Sequence, residues 1–156
     1  MTQHRASIPR FLVALTAVVF PAVAGCGSSA PVMAPAVEGV VTIGGQPLPN
    51  ATVTFTPTAA GVAGQYVGTA VTDEKGHYAL QTAGKPGAVV GEHKVTVTEG
   101  PVPESLRGEE NQGRAAAAGA NQKNRPIPAL YGSLAKTTLT VTVKADQKDY
   151  PLQLSR

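Results

Sequence analysis

The stretch Ala51-Thr-Val-Thr-Phe-Thr56 puts Ala51, Val53 and Phe55 on one side of an extended chain and three threonines on the other. Successive side chains of a strand point to opposite faces, so this period of two, rich in β-branched residues, describes a strand with one buried face. Lys94-Val-Thr-Val-Thr98 repeats the device, and Thr138-Leu-Thr-Val-Thr-Val-Lys144 repeats it again. Further strands are expected at 37–43, 66–72, 77–81 and 148–154. In the last of these, Tyr150, Leu152 and Leu154 share a face and Pro151 lies opposite, which suits an edge strand because proline has no N–H to give a ladder. For 66–72 the pattern does not choose an inward face. The predicted core is Val53, Phe55, Tyr78, Leu80, Val95, Val97, Leu139, Val141 and Val143, with the interleaved threonines at the surface. No segment sustains a helical period. Seven short strands separated by Gly-, Pro- and Asp-containing turns predict an all-β chain, a seven-stranded β-sandwich. Asp73-Glu-Lys-Gly76 is expected to be a hairpin turn with Gly76 at positive φ.

Upstream of this pattern the chain is of another kind. Residues 1–10 carry Arg5 and Arg10 and no acid, and residues 11–24 are uncharged and almost wholly apolar. These 14 residues are shorter than the roughly 20 needed to cross a bilayer as a helix, and Pro21 interrupts them. A basic start, a short apolar stretch and small residues at a cleavage site describe a secretory signal, here residues 1–25. Ala22-Val23-Ala24 would serve as an ordinary cleavage site. The chain's single cysteine, Cys26, follows at once, and a lone cysteine cannot form an internal disulfide. Val23-Ala24-Gly25-Cys26 resembles the bacterial lipobox, Leu-(Ala/Ser)-(Gly/Ala)-Cys, with Val in the first place. That resemblance implies cleavage before Cys26, lipid attachment to its thiol and anchorage to a membrane. Two or more acyl chains hold a protein there stably, where one does not. Gly27 is not the Asp that retains lipoproteins at the inner membrane of enteric bacteria, so the expected destination in a host that uses that rule is the outer membrane. Residues 26–36, small and proline-containing, read as a flexible tether.

Without residues 1–25 the chain has 11 basic and 10 acidic residues, and no Lys/Arg cluster of the kind that binds nucleic acid. Residues 37–156 then make one domain, long enough for a single core.

Three pieces of this domain carry a family resemblance: residues 38–55 (EGVVTIGGQPLPNATVTF), 68–80 (GTAVTDEKGHYAL) and 91–97 (GEHKVTV). In that order they resemble the carboxypeptidase regulatory-like domain. The resemblance implies a transthyretin-like (prealbumin-like) Greek-key sandwich of about seven strands. The ending Ile127-Pro-Ala-Leu-Tyr131, followed by 139–143 and 150–154, is similar to small lipoproteins of planctomycete-type bacteria, which often carry Lys where this chain has Leu130.

Residues 99–125 interrupt the likeness. At 27 residues they exceed the roughly 12–15 beyond which structureless loops are uncommon in compact domains. Their Gly, Ala, Asn, Gln and charged content cannot build a core, so a mobile insertion is expected, with a helical turn suited to 115–118.

Reactive chemistry is scarce. Beyond the signal only His77 and His93 remain, the first expected to face solvent and the second to be partly covered. No cysteine or further histidine completes a zinc site, and the acidic turn at 73–76 lacks the spaced acids of a calcium loop. There is no G-x-S-x-G elbow and no glycine-rich phosphate loop opening a helix. Tyr131-Gly132-Ser133 is similar to part of the Tyr-Arg-Gly-Ser ending of hydroxyisourate hydrolase, but the Arg is absent and the position is internal. No catalytic residue, metal or cofactor is therefore expected. Two classes stay open: a non-enzymatic envelope lipoprotein with a structural or protein-binding role, and a module that binds glycan or peptide through loops at one end. Stacking on sugars needs exposed rings, and only Tyr66 and Tyr131 are expected to be free.

Overall fold

The computed structural model describes residues 30–156 apart from 63, 103, 105, 106 and 121–123. Residues 1–29, which hold the expected signal and Cys26, lie outside the described residues. The chain is all-β in class. Its strands are β1 Met33–Ala34, β2 Glu38–Ile43, β3 Gln46–Pro47, β4 Ala51–Pro57, β5 Gly68–Val71, β6 His77–Ala79, β7 Gln81–Thr82, β8 Lys85–Pro86, β9 Ala88–Val89, β10 Gly91–Glu99, β11 Thr140–Val143 and β12 Leu152–Leu154. One α-helix, α1 (Gln112–Ala120), stands inside the insertion.

One sheet runs in the order β11-β10-β4-β5-β7-β8, and every pairing in it is antiparallel. Its centre is the β4–β10 ladder, where Phe55 stands opposite Val95 and Val53 opposite Val97. In the second sheet β2 is central: β12 lies parallel to it on one side, and β6 and β3 pair with it on the other. Both sheets supply one core, in which Phe55 of the first and Tyr78 of the second hold their rings 6.0 Å apart. Alternation predicted these faces correctly at Val53, Phe55, Tyr78, Leu80, Val95, Val97 and Val143, all buried, and at Tyr150, Leu152 and Leu154. For β5 the structure decides what the pattern left open: Gly68 and Ala70 turn inward, Thr69 and Val71 outward.

Several expectations are corrected. Val141 of β11, and Leu139 just before it, are only half-buried, because β11 is an edge strand with a neighbour on one side alone. Segment 77–81 is not one strand. Leu80 donates its N–H to Val37 and accepts at its carbonyl from Gly87, so the chain passes from the second sheet to the first at that residue. The 73–76 turn thus joins strands of different sheets and closes no hairpin ladder. Gly76 does have positive φ, 77°, and a Cβ there would meet the Val41 carbonyl at 2.6 Å. The packed body also begins before residue 37. β1 pairs with β9, the Val32 carbonyl accepts from Val90 N–H at 2.8 Å, and Ala34 is fully buried. Residues 32–36 are therefore part of the domain, not of a tether.

Candidate functional site

The end of the molecule where β10 finishes carries the insertion, and both ends of that insertion are fastened. Leaving β10, Gly100 donates its N–H to the Asn50 carbonyl at 2.9 Å. A Cβ on Gly100 would run into that backbone, so only glycine passes so close. At the return, Asn124 donates from Nδ2 to the Pro47 carbonyl at 2.6 Å, and the Arg125 guanidinium donates to the carbonyls of Pro49 and Asn50, each at 2.8 Å. Arg125 also forms an ion pair with Glu99. Its side chain is 4 % exposed, against 54 % for Glu99. The arginine thus ties the 47–50 turn, the end of β10 and the start of the 126–132 segment into one unit. The peptide bond to Pro126 is cis.

Beyond Pro126, the half-buried Ile127 and Pro128 lie over Val97 and Thr98. With Glu99, Ala129 and Gly132 they line a hollow of about 170 Å³. A single turn of 3-10 helix, Ala129–Gly132, then carries Tyr131 inward. Its hydroxyl accepts from Ser155 N–H at 2.9 Å, closing the chain's last residues onto this end. Tyr131 is 4 % exposed, so the expectation of a free ring is overturned. Tyr66 is half-buried.

Between its fastened ends the insertion is not structureless. A 3-10 turn, Glu109–Asn111, runs into α1, QGRAAAAGA, whose alanines are the strongest helix formers. Glu109 and Glu110 stand just ahead of its N-terminus, where negative charge favours the helix dipole. A helix of nine residues is marginal in water alone. The Glu104–Arg107 pair, 3.2 Å apart, is solvent-exposed.

His93, Tyr78 and Asp73 are committed to structure. His93 is fully buried rather than partly covered, on the inward face of β10, 5.8 Å from the Phe55 ring. Its Nδ1 lies 3.0 Å from the Gly91 carbonyl, and burial holds its pKa below the ordinary value, favouring the neutral imidazole. His77 is exposed, as expected. Tyr78 donates its hydroxyl to the Tyr150 carbonyl at 2.6 Å, and burial pushes that hydroxyl well above the usual range, with Asp149 and Tyr150 adding to the shift. Asp73 Oδ1 accepts from the N–H groups of His77 and Lys75, at 2.9 and 2.8 Å, and those bonds, His77's foremost, hold its carboxyl below the ordinary value. Among the described residues no group of three His, Cys, Asp or Glu side chains is placed to hold a metal ion. No helix there is long and apolar enough to cross a membrane. The chain matches no protein-family model, no curated protein and no solved structure.

Proposed function

We propose that this protein is a membrane-anchored bacterial envelope lipoprotein, lipidated at Cys26, whose β domain has a structural or protein-binding role and no enzymatic one. The observation that carries the reading is the order of segments. A basic start and a short apolar stretch end at Val23-Ala24-Gly25-Cys26, and the packed domain opens six residues later, at Val32. The finer fold assignment is a seven-stranded Greek-key sandwich of the transthyretin-like, carboxypeptidase regulatory-like kind. It is supported by the way β4, β5, β10 and β11 form one layer and β2, β6 and β12 the other, the remaining strands being two-residue pairings. The sealing of His93 in the core and the engagement of Tyr131 with Ser155 support the non-enzymatic reading. Glycan or peptide binding by end loops is the second reading, and the burial of Tyr131 removes one of the two rings it relied on.

Intact-protein mass after expression in a lipoprotein-processing host tests the anchor. The expected product lacks residues 1–25 and carries acyl chains on Cys26. A soluble product cut at Ala24 with a free thiol refutes it.

A further inference from the structure

β11 is an outer strand of the first sheet, and the ladder that holds it shows what its free side offers. Val95 donates its N–H to the Leu139 carbonyl at 2.9 Å, His93 stands opposite Val141, and Gly91 stands opposite Val143. Backbone groups alternate between the two sides of an antiparallel strand. Leu139, Val141 and Val143 therefore spend theirs on β10, while Thr140 and Thr142 turn both N–H and carbonyl to the open side. Other outer strands are blunted: β8 holds Lys85 and Pro86, β3 holds Pro47, and Pro151 stands just before β12. Residues 137–143, TTLTVTV, contain no proline, glycine or charge, and all but Leu139 are β-branched. The half-buried Leu139 and Val141 leave apolar surface along this margin. An edge of that kind, left unguarded, pairs with another strand.

We infer that β11 pairs antiparallel with β11 of a second copy of this chain, about a two-fold axis at Val141. Charge selects both the occupant and the register. Lys136 and Asp146, both exposed, lie five residues to either side of Val141. An axis there sets Lys136 of each copy toward Asp146 of the other, and symmetry repeats the match. Moving the axis to Thr140 would set Lys136 toward Lys144, and moving it to Thr142 would set Lys136 toward Lys148. Both alternatives oppose like charges. With the axis at Val141, Thr140 of each copy exchanges both backbone hydrogen bonds with Thr142 of the other, and Leu139 meets Val143. A foreign strand would have to supply these complements separately, whereas a second copy carries them by symmetry. The two six-stranded sheets become one, and each copy loses its unguarded edge. This pairing does not depend on the lipidation proposed above.

Residues 30–156 serve for the test, since both sheets and their shared core lie within them and they contain no cysteine. Sedimentation between about 10 μM and about 1 mM should show a monomer–dimer equilibrium, the weak association expected of an interface one strand wide. In Val141→Cys the two substituted positions face each other with Cα atoms about 4.5 Å apart, within disulfide range, so mild oxidation should cross-link the dimer. Thr140→Cys, which faces Thr142, should cross-link far more slowly. Thr140→Pro removes an N–H that β10 does not use and should leave a folded monomer. Lys136→Asp should weaken the dimer several-fold, and adding Asp146→Lys should restore it. A protein that stays monomeric at every concentration, even one that takes up an extended Thr/Val peptide instead, overturns the inference. So does a dimer that Thr140→Pro leaves intact, or cross-linking at position 140 as fast as at 141. Should Thr140→Pro fail to fold, the charge pair decides: weakening by Lys136→Asp that Asp146→Lys does not restore overturns the pairing.

Discussion

Two arginines in the insertion should behave very differently when replaced. In Arg125→Leu the carbonyls of Pro49 and Asn50 lose a charged donor at 2.8 Å each, and Glu99 loses its partner. Hydrogen bonds to a charged group contribute about 1.5–3 kcal/mol apiece. The ion pair adds little, since Glu99 is 54 % exposed and screened by solvent. A buried leucine recovers part of the loss by removing the guanidinium's desolvation cost, which leaves an expected destabilisation of about 2–4 kcal/mol. Arg107 also pairs with a glutamate, Glu104, but the two side chains are 56 % and 88 % exposed. Arg107→Leu should therefore change stability by no more than about 0.5 kcal/mol. Urea unfolding of residues 30–156, read as the midpoint at unchanged slope, separates the two. Equal shifts for the two variants would show that Arg125 is not the fastening described above.

Phe55→Ala should cost about 3–5 kcal/mol and Thr54→Ala well under 1, since Phe55 is fully buried and Thr54 lies on the outer face; similar midpoints in urea would mean the sheet faces have been misassigned. His93 adds a pH dependence. Its folded pKa lies below the unfolded value of about 6.5, so below that pH the unfolded chain binds a proton that the native state refuses. Stability should be full above about pH 6.5 and fall on acidification by at most about 1.4 kcal/mol per unit, a slope that His93→Leu should remove. Replacing residues 101–123 by a few Gly/Ser, with both fastened ends kept, should leave the urea midpoint nearly unchanged, because loop closure changes by only about 0.6 kcal/mol per doubling of length. Unfolding of that variant would mean the insertion contributes packing that its described residues do not reveal.

Alternation was legible where two strands face each other across a full ladder. In β4 and β10 each inward residue meets an inward partner, Val53 with Val97 and Phe55 with Val95, so burial follows from the period alone. It misled at β11, where one side of the strand is open. It was silent wherever burial comes from a turn or from a strand of only two residues. Leu48 and Ala34 are fully buried without any periodic neighbour, and Tyr131 is carried inward by a single helical turn. Thr72 shows another limit. It reads as an ordinary strand threonine, yet it is buried, accepting from Ala51 N–H at 2.8 Å and donating to the Leu48 carbonyl at 2.7 Å. Nothing in a polar stretch such as Asn-Arg-Pro announces that its guanidinium will be covered, since that follows from where the 47–50 turn and Glu99 come to lie.

The parallel pairing of β12 with β2 sets Leu152 beside Val41 and Leu154 beside Ile43, joining the last strand to the first long one. A ribosome delivers the chain from its N-terminus, so one flank of β2 stays open until residues 152–154 have emerged. Contacts this distant in sequence form slowly, and the second sheet is incomplete until 152–154 have paired. The same arrangement makes 152–154 a checkpoint: a chain truncated before Leu152 would lack the strand that completes the flank of β2.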